Sequence, residues 1–328
     1  MKTTPRPPMP WGDQPLELPP DLAVDSSCGP ASAASLAHCV DVMRLEEDVR
    51  LVARPRPPES EHHDQVRDHC RHRLSELGFE VSIHSYGTGE NVIGLKPGFS
   101  RPEERVVVGA HYDQVERCPG ADDNASGVAA VLELARVLSI SRYERSLVVA
   151  CWDEGEESQR GSRSYARDAV MRGDKITLAV ALEAVAYASS APDSQTIPER
   201  FEEAFPEQAL AMLDNHYRGD FLTVVADRVS YPYATSVVEH GGRFDLGVQV
   251  LRLTERLKAN QREMHRSDHV GFWEQEVPAM LLTDTASYRN PNVGCKKGVD
   301  GPDSLDFGFA DRVTRAAVGA IAEALIVR

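Results

Sequence analysis

No stretch of this sequence stays apolar for the roughly 20 residues that a membrane-spanning helix needs, so no bilayer crossing is expected. Positive charge is also short: 36 Lys and Arg face 51 Asp and Glu, leaving a formal charge of -15. Nucleic acid and anionic lipid both demand a positive field, so neither is an expected partner. Cysteine is sparse, and Cys28, Cys39, Cys70, Cys118, Cys151 and Cys295 are scattered without close pairing motifs. In a chain of this length that pattern reads as free thiols rather than a disulfide framework. The opening MKTTPRPPMPWGDQPLELPP lacks the apolar core of a signal peptide. Together these features point to a cytoplasmic protein, unless the true start lies upstream.

What is present suits a folded enzyme-sized chain. With 41% hydrophobic and 27% charged residues over 328 positions, the composition is that of a soluble globular protein able to bury a sizeable core. Residues 1–45, rich in Pro, Ser and Ala, are expected to form a partly flexible lead-in, and residues 46–328 a single domain. DQVRDHCRHRLSELGF places Val66, Cys70, Leu74 and Leu77 at helical spacing, and EVSIHSY then alternates like a strand. NVIGLKPG, RVVVGAH, SLVVACWD and ITLAVALEAVAY read as further strands, with SGVAAVLELARVLS as a helix between two of them. Apolar strands alternating with helices predict an α/β fold with a largely parallel sheet covered on both faces.

In such sheets ligands bind beyond the carboxyl ends of the strands. His111 and Asp113 follow VVVGA, the acids of Asp153 to Glu157 follow LVVACW, and Glu183 follows LAVAL. Each piece has an ordinary explanation on its own. Asp122 or Asp123 could cap the helix behind it, His111 could be a satisfied core histidine, and EGEE could be a solvated turn. Three acid- or His-bearing strand ends in succession, however, would crowd like charges unless a cation sat among them. Zn²⁺ accepts His nitrogen and carboxylate oxygen and leaves a position for water at a catalytic site. In HYD, His111 and Asp113 share one side of a strand, which makes His111 the ligand and Asp113 the group that orients it. Asp123 stands just before a helix start, where backbone N–H groups and the helix dipole also favour a carboxylate.

GAHYDQV…PGADDNASGVAAVLELARVL, CWDEGEESQRGSRSYA, LEAVAYASSAPDSQTIP, RGDFLTVVADR and HRSDHVGFWEQEVPAMLLTDTASYRNP occur in the order found in one family. From about Val52 onward the chain resembles the zinc-dependent aminopeptidases of clan MH, which also include glutamate carboxypeptidase and glutaminyl cyclase. The resemblance implies an α/β/α sandwich around a mostly parallel, mixed sheet. It also implies two zinc ions and hydrolysis of a terminal residue from a peptide or amino-acid-derived small substrate. Carried over by motif, His111 binds the first zinc, Asp123 bridges both and Glu183 completes the first site. In the family, the former of two adjacent Glu is the general base and the latter a ligand of the second zinc. Counted back from Gly161-Ser162 without a gap, Gly155 takes the base position and Glu156 the ligand position; with a one-residue deletion, Glu156 becomes the base and Glu157 the ligand.

A larger departure lies downstream. Where the family carries a His for the second zinc, this chain reads NVGCKKGVDGPDSLDF, with Gly294 in the matching place and Cys295 the one good donor nearby. One zinc is therefore expected, with the second site doubtful. Ala184 and Ala186 replace bulkier residues and would loosen the site wall. His269, Met264, Phe272 and Trp273 are read as packing residues. Two functions follow: a zinc aminopeptidase with Glu156 as proton carrier, or an impaired relative with one metal or none that acts as a binding or scaffold protein. Oligomeric state is not legible.

Overall fold

The computed structural model describes residues 32–326. Eight strands form one mixed sheet in the order β1-β2-β4-β3-β5-β8-β6-β7. They are β1 (Glu80–Ser85), β2 (Glu90–Lys96), β3 (Arg101–His111), β4 (Arg145–Trp152), β5 (Lys175–Leu182), β6 (Phe221–Asp227), β7 (Gly247–Leu253) and β8 (Ala279–Thr283). The central run β4-β3-β5-β8 is parallel, whereas β1, β2 and the β6/β8 pairing are antiparallel. The expected α/β/α architecture is thus the observed one.

The burial of the strands explains their composition. Strands β4, β6 and β8 are buried along nearly their whole length, as continuous apolar runs on a two-sided sheet must be. Two apolar cores result. One lies under α2 (Val42–Val52), α3 (Glu61–Glu76), α4 (Gly127–Ser139) and the C-terminal helix Phe307–Ala324. The other lies under α5 (Arg160–Met171) and the short helix His269–Trp273. Helix α4 has buried residues on every side, as an almost wholly apolar helix should. A fully buried Leu or Val such as Leu132 or Val149 contributes about 1.5–3 kcal/mol against exposure.

The lead-in differs from expectation in part. Residues 1–31 lie outside the described residues, but α1 (Ala33–Ala37) and α2 are well-formed helices, each opened by a side-chain cap, Ser32 to the Ser35 N–H and Asp41 to the Met43 N–H. Leu36, Leu45 and Val49 are buried in the same core as the C-terminal helix. The spaced apolar residues here were too few to outweigh the surrounding Pro and Ser in a reading by composition.

Strand register fixes the site. His111 pairs with Trp152 on β4, and Gly109 pairs with Ala181 on β5. Two residues further along, Glu183 therefore comes level with His111. The neighbouring β4 indole needs Gly109, since a Cβ there would lie 2.3 Å from Trp152 Nε1.

Candidate metal centre

His111, Asp123 and Glu183 converge, and one ligand atom from each lies within 4.8 Å of the others. His111 Nε2 is 3.4 Å from Asp123 Oδ1 and 4.0 Å from Glu183 Oε2. Donors about 2.1 Å from a tetrahedral zinc stand about 3.4 Å apart, so the first separation already fits and the second needs a small closure. Asp123 Oδ1 is buried and has no hydrogen-bond partner. A buried carboxylate oxygen left without a donor is costly, and a cation among these three groups removes that cost. The donor set, one imidazole and two carboxylates, suits zinc.

Asp123 does not cap α4. It belongs to an irregular turn, Ala121–Ser126, held from several sides. Asp300 accepts from the Asp122 N–H at 3.1 Å and the Asp123 N–H at 3.2 Å, and the Gln114 amide donates to the Asp123 carbonyl. Asp122 is spent on structure: it accepts from the Ala186 N–H at 3.3 Å and from the Asn290 amide at 2.9 Å. Burial first, and then Asp284 and Asp300, hold its carboxyl well above the usual range.

Asp113 is fully buried, and its Oδ1 lies 3.3 Å from His111 Nδ1. The same carboxylate accepts from the Gly155 N–H at 2.7 Å and the Glu156 N–H at 3.2 Å. One side chain therefore ties the imidazole to the turn that presents Glu156. Burial pulls the His111 imidazole down, but Asp113 and Asp123 outweigh it and hold its pKa well above the ordinary value. Burial, and then Asp123, push the Glu183 carboxyl well up.

The two candidate glutamates part ways. Glu156 lines a cavity of about 350 Å³ together with Asp123 and Glu183. Desolvation in that cavity, and then Asp123, push its carboxyl up to about 7 against the pull of His111. Glu157 points outward, its side chain 59% exposed and 3.8 Å from Arg160. Gly155 packs directly against His111, and a Cβ there would lie 2.3 Å from His111 Cβ. One part of the cavity wall is apolar, formed by Ile197, Phe201, Met212, Val225 and Leu251, while Gln195, Thr223, Glu263 and Arg266 are among the polar residues that line the rest.

The reading of all six cysteines as free thiols holds only in part, and Cys28 lies outside the described residues. Cys118 and Cys295 form a disulfide, and Cys39 is also disulfide-bonded; Cys70 and Cys151 are free and buried. Cys295 is thus not a metal donor, and the thiol argument for a cytoplasmic protein falls with it. Scattered spacing hid the pair because its partners are 177 residues apart in sequence. His269 does pack as expected: it is buried, 2.9 Å from the Met264 carbonyl, with its ring edge-on to Trp273.

Sequence reasoning passed over two residues. Asp268, within the RSDH motif, is 1% exposed with both carboxylate oxygens unpartnered, and burial pushes its pKa to about 6. Arg56, from a stretch read as a break, is fully buried and donates to the carbonyls of Tyr112, Pro119 and Gly120. Arginine so deeply buried is nearly always paired, but nothing in the sequence around Arg56 signals that burial.

An imidazole and two carboxylates thus meet beside a pocket at the carboxyl ends of a parallel run of strands. The chain belongs to peptidase family M28, whose model matches residues 91–303. It is 34% identical over 197 residues to the protein YfbL of Escherichia coli, covering 56% of this chain and 57% of that one. It is 38% identical over 91 residues to aminopeptidase YwaD of Bacillus subtilis, 27% of this chain and 20% of that one. The chain thus spans little more than half, or less, of the curated relatives it matches. The aminopeptidase of Aneurinibacillus sp. strain AM-1 shares the fold at TM-score 0.66 and 13% identity, over 90% of this chain and 98% of that one. Among the described residues no helix is long and apolar enough to cross a membrane.

Proposed function

We propose that the protein is a zinc aminopeptidase that removes a terminal residue from peptides, with His111, Asp123 and Glu183 holding one metal. The observation that carries this reading is the convergence of those three side chains around the unpartnered Asp123 Oδ1. A zinc ion bound there supplies a Lewis acid that polarises the scissile carbonyl and lowers the pKa of water. Asp113 holds the imidazole and, through two backbone N–H groups, the Glu156 turn. Glu156, the one carboxylate of the DEGEES run that reaches the cavity, carries the proton between water and the leaving amine. The apolar walls take the side chain of the terminal residue and exclude water from it.

A single metal is supported by the downstream loop, where Gly294 offers no donor and Cys295 is bonded to Cys118. The same loop, with Gly155 at the base position of the ungapped count, favours a second reading, a metal-binding but impaired homologue. Incubation of the purified protein with zinc and a panel of aminoacyl chromogenic substrates tests both. Metal-dependent turnover supports the peptidase; retained zinc without turnover across the panel supports the impaired homologue.

A further inference from the structure

The loop from Asn290 to Asp300 grips the Asp123 turn at both of its ends. At one end the Asn290 amide donates to Asp122 Oδ2 at 2.9 Å. At the other, the Asp300 carboxylate accepts from the N–H groups of Asp122 and Asp123, and its carbonyl accepts from the Ala121 N–H at 3.1 Å. Between those grips sits Cys295, bonded to Cys118, whose Cα is 5.6 Å away. Cys118 opens a short run, Pro119 and Gly120, that leads straight into Asp123, and buried Arg56 binds both of their carbonyls. Hydrogen bonds at two points and a covalent bond at a third thus enclose the turn in one frame.

We infer that the Cys118–Cys295 disulfide is a positioning cross-link for Asp123, doing in this chain what a second metal with its own loop ligand would otherwise do: fastening the 290–300 loop to the site. This rests on the metal reading of His111, Asp123 and Glu183. A hydrogen-bonded loop of eleven residues without a central anchor can open locally, and the groups at its ends then leave the Asp123 N–H unheld. The cross-link removes that freedom, and Val293, Gly294 and Lys296 on the same loop line the cavity wall.

The test compares the wild type with the Cys118→Ala/Cys295→Ala variant and with wild type reduced by a phosphine, alkylated and freed of reagent. In the reduction, water supplies the oxygen of the phosphine oxide and the hydrogens of the two new thiols. Circular dichroism selects the preparations that remain folded. Lys296 and Lys297 are exposed beside the cross-link, so trypsin reports directly on the loop. In both uncross-linked forms we expect cleavage after Lys296 or Lys297 to be at least about tenfold faster, and zinc affinity measured by competition with a chromogenic chelator to fall by about tenfold or more. Unchanged zinc affinity beside a zinc-binding wild type overturns the inference, as does unchanged cleavage. A wild type that binds no zinc removes the metal reading instead, a separate result that the trypsin rates do not share.

Discussion

His111 Nε2 stands 3.4 Å from Asp123 Oδ1, and that buried oxygen has no hydrogen-bond partner. The pair comes from two elements that the sheet and the Ala121–Ser126 turn bring together, and Glu183 closes the third side. Removing any of the three should therefore empty the site. We expect His111→Ala and Glu183→Ala to lower zinc affinity by more than about 100-fold, and Asp113→Ala by about 10–100-fold, since an orienting partner matters less than a ligand. Zinc per chain after dialysis, measured by plasma mass spectrometry, checks the order.

The separation of Glu156 from Glu157 makes a second prediction. Glu156→Gln keeps the shape of the cavity wall but cannot carry a proton, so kcat should fall by about 10²–10⁴-fold with zinc content retained. Glu157→Gln, on the exposed side near Arg160, should leave both within about twofold. Steady-state kinetics with matched zinc analyses decide, and a larger loss for Glu157→Gln would reverse the assignment.

Gly155 offers a steric test of the imidazole position. A Cβ built on it lies 2.3 Å from His111 Cβ and Cγ, closer than real atoms approach. Gly155→Ala should push the ring aside and lower zinc content, while far-UV circular dichroism stays that of the wild type. Full zinc occupancy in the variant would show that the His111 ring is not confined as described.

Metal uptake should depend on pH with a definite sign. Without metal, Asp113 and Asp123 hold the His111 pKa well above its ordinary value, and burial with Asp123 raises that of Glu183. Each group therefore holds its proton to a higher pH than it would in water, and a cation must compete with that proton. Affinity for zinc should rise as pH rises and fall as pH drops. Calorimetry in buffers of different ionisation enthalpy should show net release of protons as zinc binds. No proton release would contradict the charge balance of the site.

The fold was legible because the strands are long apolar runs punctuated by helices, and because strand ends carry residues that burial alone does not explain. His111, Asp123 and Glu183 could be named before their distances were known, since β3, β4 and β5 lie side by side with one polarity. What was not legible depends on contacts between remote segments. The Cys118–Cys295 bond joins loops far apart in sequence, and Arg56 finds its carbonyl partners only once α2 and the 119–120 run are packed together. The Glu156/Glu157 register hinged on one residue in a turn, where no periodicity constrains the count. The irregular course of the turn around Asp123 was not legible because its anchor, Asp300, comes from the far end of the chain.

The most direct test is a crystal grown with zinc and measured at the zinc absorption edge. The account predicts an anomalous peak bounded by His111 Nε2, Asp123 Oδ1 and Glu183 Oε2. Density with no such peak, or with the three side chains turned away from one another, would contradict it.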